Sequence, residues 1–160
     1  MNSTLQCLRK VPELKDALVS VAGRPGNTQE AQLASAAGNL FKSMDQAKEA
    51  QPPFLFLTKL HAAYPQFAEK GQGGGLMQHD AEECWNAVLM SLARTLPKSQ
   101  GTGSDSAGQP SQENSLVSEL FQGEMETRFK CQESEAEPDV VKLERFQKLT
   151  CNIDAKVRGG

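Results

Sequence analysis

Apolar residues recur at helical spacing through the first part of this chain and switch to strict alternation near residue 125, so helices should come first and strands after them. Pro12 suits a first helical position, and Leu14, Ala17, Leu18 and Val21 follow at three- and four-residue intervals until Gly23 closes the segment. After the turn residues Arg24-Pro25-Gly26-Asn27, Thr28 is placed to cap a second run. Leu33, Ala36, Ala37, Leu40, Phe41 and Met44 there form one apolar face. Pro52-Pro53 opens a further helix through Phe54, Leu57, Leu60 and His61, ending near Tyr64-Pro65. Ala81, Cys84, Trp85, Val88 and Leu92 give another helical stripe facing a core. Leu116, Val117, Leu120 and Phe121 predict a short helix ended by Gly123.

Beyond that point Met125, Thr127, Phe129 and Cys131 alternate with Glu124, Glu126, Arg128 and Lys130, the pattern of a half-buried strand. Leu149, Cys151 and Ile153 alternate in the same way, and the acidic run from Glu133 to Asp139 lies between. An antiparallel pair with a long loop is expected, although two strands alone are marginal in water. Residues 97–114 are rich in Ser, Gly and Gln and bury too little to offset ordering entropy, so they read as a disordered insertion. Gly71-Gln72-Gly73-Gly74-Gly75 has no Lys-Ser/Thr after it and no strand before it, which makes it a flexible connection and not a phosphate loop.

At 160 residues the chain fits one domain, and 38% hydrophobic residues suffice for a core. A net charge of −3 without a basic stripe gives no basis for nucleic-acid binding. The apolar run Phe54-Leu55-Phe56-Leu57 is too short to span a membrane, and the first residues have no signal-peptide core. The four cysteines form no C-x-x-C pair and read as reduced, intracellular thiols.

Cys84 stands beside two acids and a histidine, which invites a catalytic reading. On a helix, however, His79 would lie about 140° around the axis from it, so the two cannot form a dyad within that segment. A buried structural thiol fits better. His79 and Glu83, four apart, share a face and read as a solvated pair, not half of a metal site.

Two phrases carry a family resemblance. Met1-Asn2-Ser3 followed by Leu5-Gln6-Cys7-Leu8, and Gln78-His79-Asp80-Ala81-Glu82-Glu83-Cys84-Trp85, resemble the two anchor boxes of the ubiquitin-specific proteases. These are papain-like cysteine enzymes that cut ubiquitin from conjugates. The family's first box reads Gly-Asn-Thr-Cys-Tyr-Met-Asn, with the nucleophile two places before its Met, and the present sequence starts at the position of that Met. The resemblance therefore implies an α+β, papain-like fold truncated at both ends. Residues 1–96 would be a helical thumb, 97–114 an insertion, and 115–160 the start of the β-rich fingers and palm.

The activity implied is thiol-dependent hydrolysis of ubiquitin conjugates, with no cofactor and no metal. The implied partners are ubiquitin and its conjugates, plus the proteasome for a full-length member; the implied location is cytoplasmic or nuclear. Gln78 and Asp80 match polar residues that contact ubiquitin's extended tail, and for both a helix-capping role is an equal alternative. His79 replaces the more usual Gln. No catalytic residue is assigned. Cys7 sits inside a predicted helix, whereas an activated thiolate wants a helix N-terminus, so it reads as a packing residue. Neither His61 nor His79 stands in a context like the family's histidine box. Cys131 matches the first cysteine of a zinc finger found in relatives but has no second ligand beside it. A non-catalytic adaptor for ubiquitin or the proteasome is the alternative function. The tail Arg158-Gly159-Gly160 suggests a ubiquitin-like modifier more remotely, against the helical first part.

Overall fold

The computed structural model describes residues 1–71, 73–98, 114–132 and 138–149. Among these residues six α-helices run in chain order: α1 (Asn2–Arg9), α2 (Pro12–Val21), α3 (Gln29–Gln46), α4 (Phe54–Ala63), α5 (Ala81–Thr95) and α6 (Leu116–Phe121). A short 3₁₀ turn, Pro65–Ala68, follows α4. Strands β1 (Gly123–Phe129) and β2 (Val140–Phe146) come last. The chain divides into two compact units, Met1–Leu120 and Phe121–Gly160.

Local chemistry sets the helix ends. Pro12 occupies the first turn of α2, where its missing N–H is no loss. Beyond α2, Gly23 adopts a positive φ of 73°. Thr28 caps α3, its hydroxyl accepting from the Ala31 N–H at 3.2 Å. In the first unit α3 is central and packs against α2, α4 and α5, while α1 lies against α2 and α5. Leu14 and Leu18 of α2, Leu33 and Phe41 of α3, Phe56 and Leu60 of α4, and Val88 and Leu92 of α5 are buried. Gly38 permits the close α2–α3 crossing, since a Cβ there would stand 2.0 Å from the Leu18 carbonyl oxygen. Polar links bind the surface: Arg9 and Lys15 both reach Asp45 (2.6 and 3.1 Å), and Arg94 reaches Glu30 (2.9 Å).

Several expectations need correction. In α4 the buried residues are Phe56 and Leu60, while Phe54 is exposed and Leu57 only half-buried. Ala81 is exposed at the start of α5, and the buried stripe instead includes Ala87, Leu89 and Ser91. Residues 115–120 lie with the helices: Leu116 N–H donates to Leu96 O at 3.2 Å, and Ser115 bridges Pro97. The disordered insertion proposed for 97–114 falls almost wholly outside the described residues, as does the Arg158-Gly159-Gly160 tail.

In the second unit β1 pairs antiparallel with β2, from Gly123 opposite Phe146 to Phe129 opposite Val140. The strand expected at 149–153 lies largely outside the described residues, and the partner of β1 is 140–146. Neither strand is half-buried: Met125, Phe129, Val141 and Leu143 are all exposed. The physical reason is that, among the described residues of this unit, the two-stranded ribbon has no second layer for either face to pack on.

Candidate functional site

The site is built from the stretch between the 3₁₀ turn and α5. Its first half is a closed turn. Gly71 N–H donates to Gly75 O at 2.9 Å, Gly74 N–H donates to Gly71 O at 3.0 Å, and Lys70 bridges Leu76 antiparallel. Gly74 has a φ of 77°, a conformation that glycine adopts without steric cost. The connection expected here carries these backbone hydrogen bonds at Gly71, Gly74 and Gly75. Met77 N–H then donates to Glu69 O at 2.9 Å and returns the chain alongside its own approach.

From Met77 the chain runs to Asp80, which caps α5. The Asp80 carboxylate accepts from the Glu82 N–H at 2.7 Å, and the Asp80 carbonyl accepts from the Cys84 N–H at 3.2 Å. Gln78 and Asp80 are both exposed, and His79 between them is turned inward with 18% of its side chain exposed. Asp80 acts as a cap, and a carboxylate has acceptor capacity left for a ligand N–H.

His79 packs edge-on against Phe67, with ring centroids 5.2 Å apart. Phe67 in turn packs edge-on against Tyr64 at 6.2 Å, and the Tyr64 hydroxyl shares a 2.9 Å hydrogen bond with Ser91, which is fully buried in α5. Tyr64 and Phe67 went unassigned in the sequence reading. The signal that could have found them is their three-residue spacing directly after α4, at which the two rings meet edge-on. His79 Nδ1 stands 3.8 Å from Glu83, so the expected i, i+4 pair is present, but His79 is only partly solvated. Its Nε2 is buried without a hydrogen-bond partner among the described residues.

A cavity of about 140 Å³ lies beside this segment, with Leu57, Leu60, Phe67, Leu76 and Met77 among its walls. His61, His79, Asp80 and Cys84 also border it, a set that superficially matches a thiol-protease triad. The thiol excludes that role. Cys84 is 2% exposed, and burial pushes its pKa above the ordinary thiol value, with the Met1 ammonium and the Thr4 hydroxyl pulling more weakly the other way. A nucleophilic cysteine needs the opposite environment.

Cys7 corrects the packing expectation: it is exposed, while Leu5 and Leu8 carry the buried side of α1. It sits in the last turn, where the Lys10 N–H bonds its carbonyl at 3.0 Å. The macrodipole there opposes a thiolate. Cys131 lies just past β1, and among the described residues no three His, Cys, Asp or Glu side chains are grouped to hold a metal. No described helix is long and apolar enough to cross a membrane.

Helices packed around α3, the capped α5 among them, and an antiparallel strand pair later in the chain give the α+β frame in which the two family-like phrases sit. Residues 1–154 match the family described as ubiquitin carboxyl-terminal hydrolase, and the chain belongs to that family of papain-like cysteine hydrolases. It is 37% identical over 161 residues to ubiquitin carboxyl-terminal hydrolase 6 of Arabidopsis thaliana, and 35% identical over 160 residues to that organism's hydrolase 7. Both alignments cover 98% of this chain and 31% of the relative. It is also 34% identical over 155 residues to ubiquitin carboxyl-terminal hydrolase 6 of Schizosaccharomyces pombe, covering 96% of this chain and 28% of that protein. The chain thus spans about a third of the length of these curated relatives.

Proposed function

We propose that this chain forms the thumb-like part of a deubiquitinase, residues 1–96, with an insertion at 97–114 and the first finger strands in 115–160. In the whole enzyme it serves thiol-dependent cleavage of ubiquitin conjugates at the proteasome, in the cytoplasm or nucleus. The proteasome assignment rests on a resemblance to ubiquitin-specific protease 14. The matching stretches are Val11–Leu18, Phe41–Asp45, Tyr64–Gly71, the Cys84-Trp85 ending of the second box, and Lys130–Glu135.

The observation that carries the ubiquitin reading is the exposed pair Gln78 and Asp80, presented on a pinned segment at the head of α5. Their amide and carboxylate groups suit the backbone amides and the guanidinium of ubiquitin's Arg-Gly-Gly tail. The described residues do not assemble a thiolate–imidazole pair: Cys84 is buried with its pKa raised, and Cys7 stands at the wrong end of its helix. On this reading the 160 residues bind without hydrolysing, and the same features support a non-catalytic adaptor as the second reading.

The test is a ubiquitin probe carrying an electrophile at its C-terminus. No adduct is expected; specific labelling of Cys7 would overturn the assignment. Free ubiquitin should bind weakly, with a Kd of about 100 μM or more, because one side of a tail channel buries little area. A sub-micromolar Kd that Asp80→Ala abolishes would make the adaptor the better reading.

A further inference from the structure

Among the described residues, backbone and capping hydrogen bonds tie the segment carrying Gln78 and Asp80 at its two ends. Met77 donates to Glu69 O on one side, and Asp80 receives the Glu82 N–H on the other. Between these ties His79 is half-buried while its two neighbours, Gln78 and Asp80, are exposed. A rotation that withdrew His79 from its seat would turn Gln78 and Asp80 off the exposed face together.

What seats His79 is its ring, not its nitrogens. Nδ1 is 3.8 Å from Glu83, beyond hydrogen-bond reach, and Nε2 is buried without a hydrogen-bond partner among the described residues. The ring edge instead meets Phe67 at 5.2 Å and an interplanar angle of 78°. Edge-to-face pairs of this kind are favoured by the ring quadrupoles. Phe67 is buried, abuts Tyr64, and through the Tyr64 hydroxyl is connected to Ser91 in the core of α5. A continuous line of side chains thus runs from the interior of α5, through the 3₁₀ turn, back to the segment in front of that same helix.

We infer that His79 is a positioning residue: its ring, seated on the Phe67–Tyr64–Ser91 line, holds Gln78 and Asp80 in the orientation that meets an extended peptide tail. The last clause rests on the tail-binding reading above; the seating of the segment does not. His79 makes no contact with the ligand in this scheme, so any flat apolar ring should replace it. Phenylalanine keeps the ring surface and removes the unpartnered buried nitrogen.

The experiment compares the 160-residue chain with His79→Ala, His79→Phe and Asp80→Ala, each confirmed folded by its thermal melt. Ubiquitin affinity is read by NMR titration, and the Met77 and Glu82 amides by hydrogen exchange. His79→Ala is expected to weaken binding about three- to tenfold, the scale of a lost aromatic contact, and to speed exchange at both amides. His79→Phe should stay within about twofold of the parent on both readouts.

If His79→Phe weakens binding as much as His79→Ala, the imidazole touches the ligand and the positioning role is overturned. It is equally overturned if His79→Ala changes neither readout while Asp80→Ala weakens binding. If the parent chain does not bind ubiquitin, or Asp80→Ala has no effect, the tail reading fails. Exchange then decides the seating alone: acceleration in His79→Ala but not in His79→Phe upholds it, and unchanged exchange removes it.

Discussion

Gly38 is the position where one added carbon should do the most damage. A Cβ would stand 2.0 Å from the Leu18 carbonyl oxygen and 3.2 Å from Ala22 Cβ, so α2 and α3 would have to separate. Gly38→Ala raises helix propensity by about 1 kcal/mol, yet overpacking costs about 1–3 kcal/mol or more and wins here. Urea unfolding should show a net loss of stability; a gain would mean that the helices can part freely. The cysteines differ as sharply. Exposed Cys7 should react with a thiol reagent in the folded protein, whereas buried Cys84 should react only after unfolding, a difference that mass mapping of labelled peptides would read. Cys84 was legible in the sequence as a buried thiol because its stripe repeats with the helical period. Cys7 was not, since Leu5 and Leu8 share its short helix and only the neighbours decide which side faces in.

At the scale of elements, Asp45 at the end of α3 holds α1 through Arg9 and α2 through Lys15. The Arg9 guanidinium first, then the Lys15 ammonium, keeps the Asp45 carboxyl below the ordinary carboxylate range. A depressed folded pKa stabilises the fold above the unfolded pKa, and that contribution is lost as pH falls through the folded value. Asp45→Asn should therefore unfold more easily than the parent near neutrality, and the gap should close below about pH 4 and narrow in high salt. Thermal melts across pH would check this; a gap that does not depend on pH would remove the ion pairs as its cause. The link from the 3₁₀ turn to α5 is of another kind. Tyr64→Phe leaves the fully buried Ser91 hydroxyl without that partner and should cost about 1–3 kcal/mol. Adding Ser91→Ala should recover part of the loss, and a double-mutant cycle that is strictly additive would show the bond to be idle.

For the molecule as a whole, the two units should differ in protection. The Met1–Leu120 unit has fully buried leucines in α2, α3 and α5, while the β1–β2 ribbon leaves Leu143 65% and Phe129 58% exposed. Hydrogen exchange in the intact 160-residue chain should therefore be slow in α3 and α5 and faster by orders of magnitude in the ribbon. Equal protection in both would show that the ribbon draws stability from elsewhere.

Helix ends and family membership were determined by the sequence alone. Pro12, Gly23, Thr28 and Pro53 act on backbone groups within a turn of themselves, so their effect can be read without knowing the fold. The second box is likewise contiguous, and Asp80 as a cap followed from its place before Ala81. The tertiary structure decided what depends on residues distant in sequence. Phe56, not Phe54, became the buried face of α4 because α3 lies on that side. Residues 140–146 became the partner of β1, since alternation marks a strand but does not choose its neighbour. His79 turned inward because Phe67, twelve positions earlier, offers a ring to pack on, and that contact leaves Gln78 and Asp80 facing out.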